Sequence, residues 1–342
     1  MEMSKREKIL RMLDGERTGE MFCSCHLTAA TLDQMDAVKV YWPDAHMNPN
    51  LMVKLAESQY TLLGFEGVRS GFDVGLEAEA FGAEVNMGSK DRNVYVTKHP
   101  FSSAESFAIP SNLFELGRFP IHFKALSILS EKYRDEVPIY ALLLGPLTLM
   151  GNLFGVEKIM RWALKEPALF QALLDRVSDV VADYGNLLIK NGADALSLGD
   201  PTASGNLISP RVFEKFIIPN YRKLNEKIKG RVILHICGDT TPFLEAIPET
   251  GFCAFSFEGP AVKVKKAKEI IGDRLALFGN IPTVEVLLNG TVEVVRRAVL
   301  EAIEDGINSV EPACGLPPQT PINNARAISE TVKQYNKENG FG

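Results

Sequence analysis

A basic run, a membrane-length apolar run and an even complement of cysteines are all missing from this sequence. The charge balance is 37 basic against 43 acidic residues, a net −6, and no long basic stretch interrupts it. That argues against nucleic acid and anionic membranes as partners. No apolar stretch approaches the roughly 18 residues needed to span a bilayer. The cysteines number five, an odd count in a chain of 342 residues. Residues 1–7 lead into a polar amphipathic helix and not into the apolar core of a secretory signal. The expectation is reduced thiols in the cytoplasm. No linker, low-complexity tract or close repeat breaks the chain. Residues 1–342 therefore read as a single domain, with residues 1–20 as an amino-terminal helical extension.

What is present is a regular alternation of apolar strands and amphipathic helices, in a chain whose 46% hydrophobic content can bury a large core. Ser4 with Glu7 makes a capping-box pattern for a helix ending near Leu13. Strands read at residues 21–25, 65–72, 138–145, 193–199, 231–238, 253–257, 275–279 and 307–313. Helices read at 51–63, 121–133, 242–247, 263–271 and 292–304, with further helices up to residue 190 broken at Gly155 and Pro167. Ser209-Pro210 opens another helix, ending near Lys229, and Thr320-Pro321 caps a last one running to Tyr335. Residues 83–98 alternate around Gly88-Ser89-Lys90-Asp91 and read as an inserted β-hairpin. About eight strand–helix alternations favour an α/β fold closed as one (β/α)8 TIM barrel over a doubly wound sheet.

One strand carries the chemistry. In Val232-Ile233-Leu234-His235-Ile236-Cys237-Gly238, His235 and Cys237 stand at i and i+2 and so share a face. Cys314 ends another expected strand, in Glu311-Pro312-Ala313-Cys314-Gly315. One imidazole and two thiolates form a soft set that prefers Zn²⁺, and three protein ligands leave a fourth position open, as a catalytic zinc requires. Barrel enzymes work at the carboxyl ends of their strands. Asp200, Glu258 and Asn280 also stand at such ends, and Asp73 follows the second strand, so each is a candidate to face the pocket; for Asp73 the alternative is an N-cap or loop role, and for Asp200 a purely structural one. Glu258 can reach the open metal position when substrate is absent; the alternative is a helix cap or a loop hydrogen bond. Cys23 and Cys25 share a face and read as small pocket-lining residues before a second metal site. Cys253 begins a strand and reads as core. Asp44-Ala45-His46 starts a D-x-H-x-x-G pattern but has Pro49 where the glycine would stand, so His46 reads as a loop residue and not as a cobalt ligand.

These stretches, together with Tyr41-Trp42-Pro43-Asp44-Ala45-His46, the run 64–82, Gly145-Pro146-Leu147-Thr148 and Gly199-Asp200-Pro201-Thr202-Ala203-Ser204, resemble the methylcobamide:coenzyme M methyltransferases of the uroporphyrinogen decarboxylase superfamily. The resemblance spans nearly the whole chain, and the family's zinc ligands fall on His235, Cys237 and Cys314. It implies transfer of a methyl group from a methylcobamide, carried by a partner corrinoid protein, to the thiol of coenzyme M (2-mercaptoethanesulfonate), the chemistry of methanogenesis from methylated compounds. Two cysteinate ligands keep electron density on the substrate sulfur, whereas an all-histidine site would favour activating water. No single arginine stands out for the sulfonate, and backbone N–H groups at a helix amino terminus would suffice. Uroporphyrinogen decarboxylation would require amino-terminal arginines, which the segment after Phe22 lacks. Methyl transfer to another thiol such as homocysteine would keep the zinc set and change only the pocket.

Overall fold

Ser4 opens the first helix, Lys5–Leu13, in the reciprocal manner its spacing predicts: Glu7 N donates to Ser4 Oγ at 3.2 Å and Ser4 N donates to Glu7 Oε2 at 2.9 Å. The computed structural model describes residues 3–341. The helix buries Ile9, Leu10, Met12 and Leu13 against Phe22, Tyr140, Ala195, Ile233, Ala254 and Phe278. Most of these stand near the amino ends of barrel strands, so the helix plugs the bottom of the barrel. The opposite end is left for chemistry.

Seven parallel strands form the sheet: β1 (Val68–Ser70), β4 (Ile139–Leu144), β5 (Ala195–Gly199), β6 (Arg231–Ile236), β7 (Ala254–Phe257), β8 (Ala276–Ile281) and β9 (Ser309–Pro312), each beside the next. Between β1 and β4 the chain inserts the antiparallel pair β2 (Glu84–Asn86) and β3 (Tyr95–Lys98), the hairpin expected at residues 83–98. β4 is buried at every position, as a strand covered on both faces must be.

The strand expected at 21–25 contracts to a single bridge, Phe22 to Ser309, yet the segment still closes the barrel. Val310 N donates to Phe22 O at 2.8 Å on one side, and Glu66 N donates to Cys23 O at 2.8 Å on the other. Side chains replace the missing ladder. Asn336 bonds both the N–H and the carbonyl of Met21, Glu66 Oε2 accepts from Cys23 N at 3.0 Å, and Ser309 Oγ accepts from Ser24 N at 3.1 Å. Cys25, at φ +52°, then turns the chain out of extended geometry. Counting this segment, β6 and β9 are the fifth and eighth staves, as anticipated.

Helices cover the outside. Pro167–Lys190, the longest, turns Phe170, Leu173, Leu174, Val177, Val181, Tyr184 and Leu188 inward at helical spacing. Truncating such a residue, for example Leu174→Ala, costs about 2–5 kcal/mol. Several helical expectations are corrected. Residues 51–63 divide into Pro49–Ala56 and Ser58–Thr61. The helix opened by Ser209 contains a wide π stretch, Phe213–Ile217, before Ile218–Lys227. Residues 242–247 form only 3₁₀ turns, Thr241–Phe243 and Ile247–Thr250. The last helix, Ile322–Glu338, is capped by Asp33, whose Oδ2 accepts from Ile322 N at 2.9 Å, while the Thr320 hydroxyl has no partner. Among the described residues no helix is long and apolar enough to cross a membrane.

Candidate metal centre and pocket

His235 is the last inward-facing residue of β6, Cys237 follows one residue beyond the strand, and Cys314 stands two residues beyond β9. His235 Nε2 lies 3.2 Å from Cys237 Sγ, and Cys237 Sγ lies 3.5 Å from Cys314 Sγ. All three donor atoms fall within 4.8 Å of one another, and among the described residues no other group of three metal-ligating side chains does so. Zn–S and Zn–N distances of about 2.3 and 2.1 Å at a tetrahedral angle imply ligand separations of roughly 3.6–3.8 Å, close to those observed. The donor set fits such an ion.

Local constraints hold these ligands. His235 pairs in register with Ser256 of β7, and its Nδ1 lies 3.0 Å from Ser256 Oγ. Gly238 adopts φ +76°, and a Cβ there would meet Asn206 Oδ1 at 2.3 Å and Ser204 Oγ at 2.7 Å, so only glycine turns the chain after Cys237. Gly238 N donates to Glu258 Oε2 at 2.6 Å. The two thiols share a hydrogen bond at 3.5 Å. That bond holds Cys314 well below the ordinary thiol range, helped by His235 and opposed by burial, and it pushes Cys237 up together with burial.

The three donors open onto a cavity of about 260 Å³. Its walls are mainly apolar, with Leu27, Trp42, Phe72, Leu142, Leu316 and Pro318 prominent. Asp91 and Asn93, from the turn of the inserted hairpin, reach its rim, and Asn93 Nδ2 ties that turn to Phe72 O at 2.7 Å.

Below the donors lies a polar layer. Glu311 accepts from Ser24 Oγ, Ser309 Oγ and His26 N at 3.0, 2.8 and 3.0 Å, and pairs with His26 Nδ1 at 2.7 Å. Burial holds His26 below the usual imidazole range despite this carboxylate, and its ring stands edge-on to His235 at 6.3 Å.

The pocket residues expected beside the metal set are placed differently. Asp73 is buried in an ion cluster with Arg118, at 2.7 and 3.2 Å, and its Oδ1 accepts from Gly75 N at 2.9 Å. Asp200 is fully buried and does not line the cavity, although Gly199 and Pro201 do. Its carboxylate accepts from Leu147 N, Thr148 N, Thr148 Oγ1 and Tyr221 OH at 3.2, 2.7, 2.6 and 2.8 Å, capping the helix Pro146–Phe154. Asn280 turns away and donates from Nδ2 to Val262 O at 2.8 Å. Glu258 takes the loop hydrogen bond at Gly238, beside Cys237. Cys23 and Cys25 are core residues whose thiols burial pushes well up. His46 is not in a loop: it sits in the helix Asp44–Met47, stacked on Trp42 at 5.4 Å and 3.3 Å from Asp73 Oδ2. Cys253 donates to Val232 O at 3.1 Å and does not line the cavity.

Sequence reasoning missed Ser256, Ser197 and Arg69. Ser197 and Arg69 line the cavity, and Ser256 supports His235 from behind. The only available signal was strand alternation, which places Ser256 two residues before Glu258 and Ser197 two before Gly199, on the same inward face.

Comparison with known proteins finds similarity along nearly the whole chain. The uroporphyrinogen decarboxylase (URO-D) family model matches residues 4–335. A methylcobamide:CoM methyltransferase of Methanosarcina barkeri is 34% identical over 336 residues, covering 98% of this chain and 99% of the relative. A methylated-thiol–coenzyme M methyltransferase of Methanosarcina mazei is 34% identical over 333 residues, covering 97% and 90%. The solved structure of a methyltransferase from Methanosarcina mazei superposes with a TM-score of 0.95 at 34% identity, over 98% of this chain and 99% of that one. The chain belongs to the uroporphyrinogen decarboxylase family, and within it is a methyltransferase.

Proposed function

We propose that this methyltransferase moves a methyl group from a methylated corrinoid to the thiol of coenzyme M, 2-mercaptoethanesulfonate, at zinc held by His235, Cys237 and Cys314. The observation that carries the reading is the convergence of one imidazole nitrogen and two sulfurs on the wall of a small apolar cavity. Zinc bound there supplies the Lewis acidity that ionises a thiol at neutral pH, where free thiol is mostly protonated.

The chain's own residues do the rest. Ser256 orients His235 so that Nε2 faces the sulfurs. The two cysteine ligands, rather than two further imidazoles, leave the substrate sulfur electron-rich. Leu27, Phe72 and Leu142 exclude water from the thiolate, which raises its nucleophilicity. The thiolate sulfur then forms a bond to the methyl carbon as the cobalt–carbon bond breaks, and that electron pair stays on the corrinoid as Co(I). In this reading Glu258, whose carboxylate takes Gly238 N beside Cys237, is the group that exchanges with the substrate thiol.

A cavity of about 260 Å³ lies below the roughly 300–1,000 Å³ that drug-sized ligands fill, so it admits a short thiol and not a corrin ring. The corrinoid therefore approaches from the mouth, as cosubstrate on a separate carrier protein. The test is loss of methylcobalamin absorbance in the presence of zinc-loaded protein and 2-mercaptoethanesulfonate, with the methyl thioether identified by mass spectrometry. Turnover with homocysteine but not with the sulfonate thiol would reassign the acceptor. Porphyrinogen decarboxylation without methyl transfer would overturn the reading.

A further inference from the structure

Two arginines are almost wholly withdrawn from water, and they differ in one respect. Arg118, 2% exposed, is clasped by Asp73 and by Glu79, the latter at 2.6 Å. Arg69, 3% exposed, has no carboxylate within 4.0 Å among the described residues. Its Nη1 donates to Thr28 Oγ1 and to Gly71 O at 2.7 Å, and its Nε has no partner at all. The nearby acid, Asp73, is already engaged by Arg118. Burial lowers the Arg69 pKa to about 10, so the group remains a cation at neutral pH.

A desolvated cation without a counter-charge is costly, and folded proteins pair such groups almost without exception. Arg69 lines the same cavity as His235, Cys237 and Cys314. Two more lining side chains carry a buried donor without a partner, Ser197 Oγ and Trp42 Nε1. Three unpartnered donors on the wall of one small cavity, one of them charged, describe an anion site.

We propose that Arg69 is the anion anchor of this pocket: its guanidinium holds the sulfonate end of the substrate, with Ser197 and Trp42 as accessory donors, while the thiol end meets the metal ligands. The inference rests on the thiol-methylation reading above and adds to it the residue that selects the substrate. A planar guanidinium offers parallel donors to two oxygens of one anion, which an ammonium cannot do. Selection is then for a short thiol with an anionic end, and an uncharged thiol of equal length leaves the buried cation unpaired.

Two measurements on zinc-loaded protein test this. The first is calorimetric binding of ethanesulfonate, which has the anion and no thiol, to wild type and to Arg69→Gln. The second is the ratio of kcat/KM for 2-mercaptoethanesulfonate over 2-mercaptoethanol, with methylcobalamin as donor. Wild type should bind ethanesulfonate and Arg69→Gln should not, and the ratio should fall about 100-fold, the loss expected for a charged bidentate contact. Arg69→Lys keeps the charge but not the fork, and should fall between; it carries the ratio test if Arg69→Gln does not fold. Ethanesulfonate binding by neither protein, or equally by both, would overturn the proposal, as would an unchanged ratio. Binding lost in Arg69→Gln while wild type methylates no thiol would uphold the anchor and remove the thiol-methylation reading instead.

Discussion

Ser256 Oγ lies 3.0 Å from His235 Nδ1 because β6 and β7 pair in parallel with these two residues in register. With Nδ1–H donating to the hydroxyl, Nε2 keeps its lone pair toward the two sulfurs. Partners of this kind orient metal-binding histidines, and removing one typically weakens metal affinity about 10–100-fold. Ser256→Ala should do so in a chelator competition, with Cys237 and Cys314 intact. Unaltered affinity would mean that the imidazole is positioned by packing alone.

Cys237→Ser and Cys314→Ser should each lower zinc from about one per chain to a small fraction, read by atomic emission, since a three-ligand site cannot spare a thiolate. Both variants should keep the wild-type circular dichroism spectrum. A barrel of this size is stabilised by its core and does not require a metal staple. Full zinc in both variants would place the site elsewhere.

Glu258 Oε2 accepts from Gly238 N at 2.6 Å, which holds its carboxylate next to the Cys237 turn. X-ray absorption on zinc-loaded protein should show an oxygen neighbour that is replaced by sulfur on adding coenzyme M, with release of roughly one proton per site. A first shell that stays the same under saturating thiol would remove Glu258 from the exchange.

Asp200 accepts four hydrogen bonds at the start of the helix Pro146–Phe154. Asp200→Ala leaves buried donors unsatisfied and should cost roughly 3 kcal/mol or more, measured by chemical denaturation. Zinc content should be unchanged. Loss of substrate affinity with undiminished stability would return Asp200 to the pocket.

Glu77 is buried, with Oε1 accepting from Leu144 N at 3.0 Å. Burial raises its pKa from 4.5 to about 7. The folded state thus prefers the protonated acid, and the stability this contributes is complete below the unfolded pKa and is lost as pH rises through about 7. Glu77→Gln, which cannot ionise, should gain on wild type by about 3 kcal/mol between pH 4.5 and 7 and level off above. A pH-independent difference in stability would show that Glu77 does not titrate in this window.

Much of the fold was legible because it is local. Short continuous apolar runs, several ending in glycine, marked the strands, and strand alternation put His235 and Cys237 on one face before any partner strand was known. Cys314 could join them because parallel barrel strands bring their carboxyl ends to one rim. The segment 21–25 was read as a full strand because its composition is right; side-chain hydrogen bonds from Asn336, Glu66 and Ser309 outcompete the ladder there, and those partners are remote in sequence.

The chain order of apolar and polar residues by itself determined the barrel, its inserted hairpin and the three candidate metal-ligating residues, since each follows from which face a side chain takes on its own element. Only the tertiary structure decided what the remaining polar residues do. Asp73 and Asp200 stand at strand ends as pocket residues should, but Arg118 and the helix Pro146–Phe154 reach them first, from 45 residues away in one case and 52 in the other. Arg69 was inconspicuous as one basic residue among 37. It became the distinctive one when folding gave Asp73 to Arg118 and left its guanidinium facing the cavity without a counter-charge. The reason is that local pattern sets the direction of a side chain, whereas its charge partner is set by competition among groups that only the closed barrel brings together.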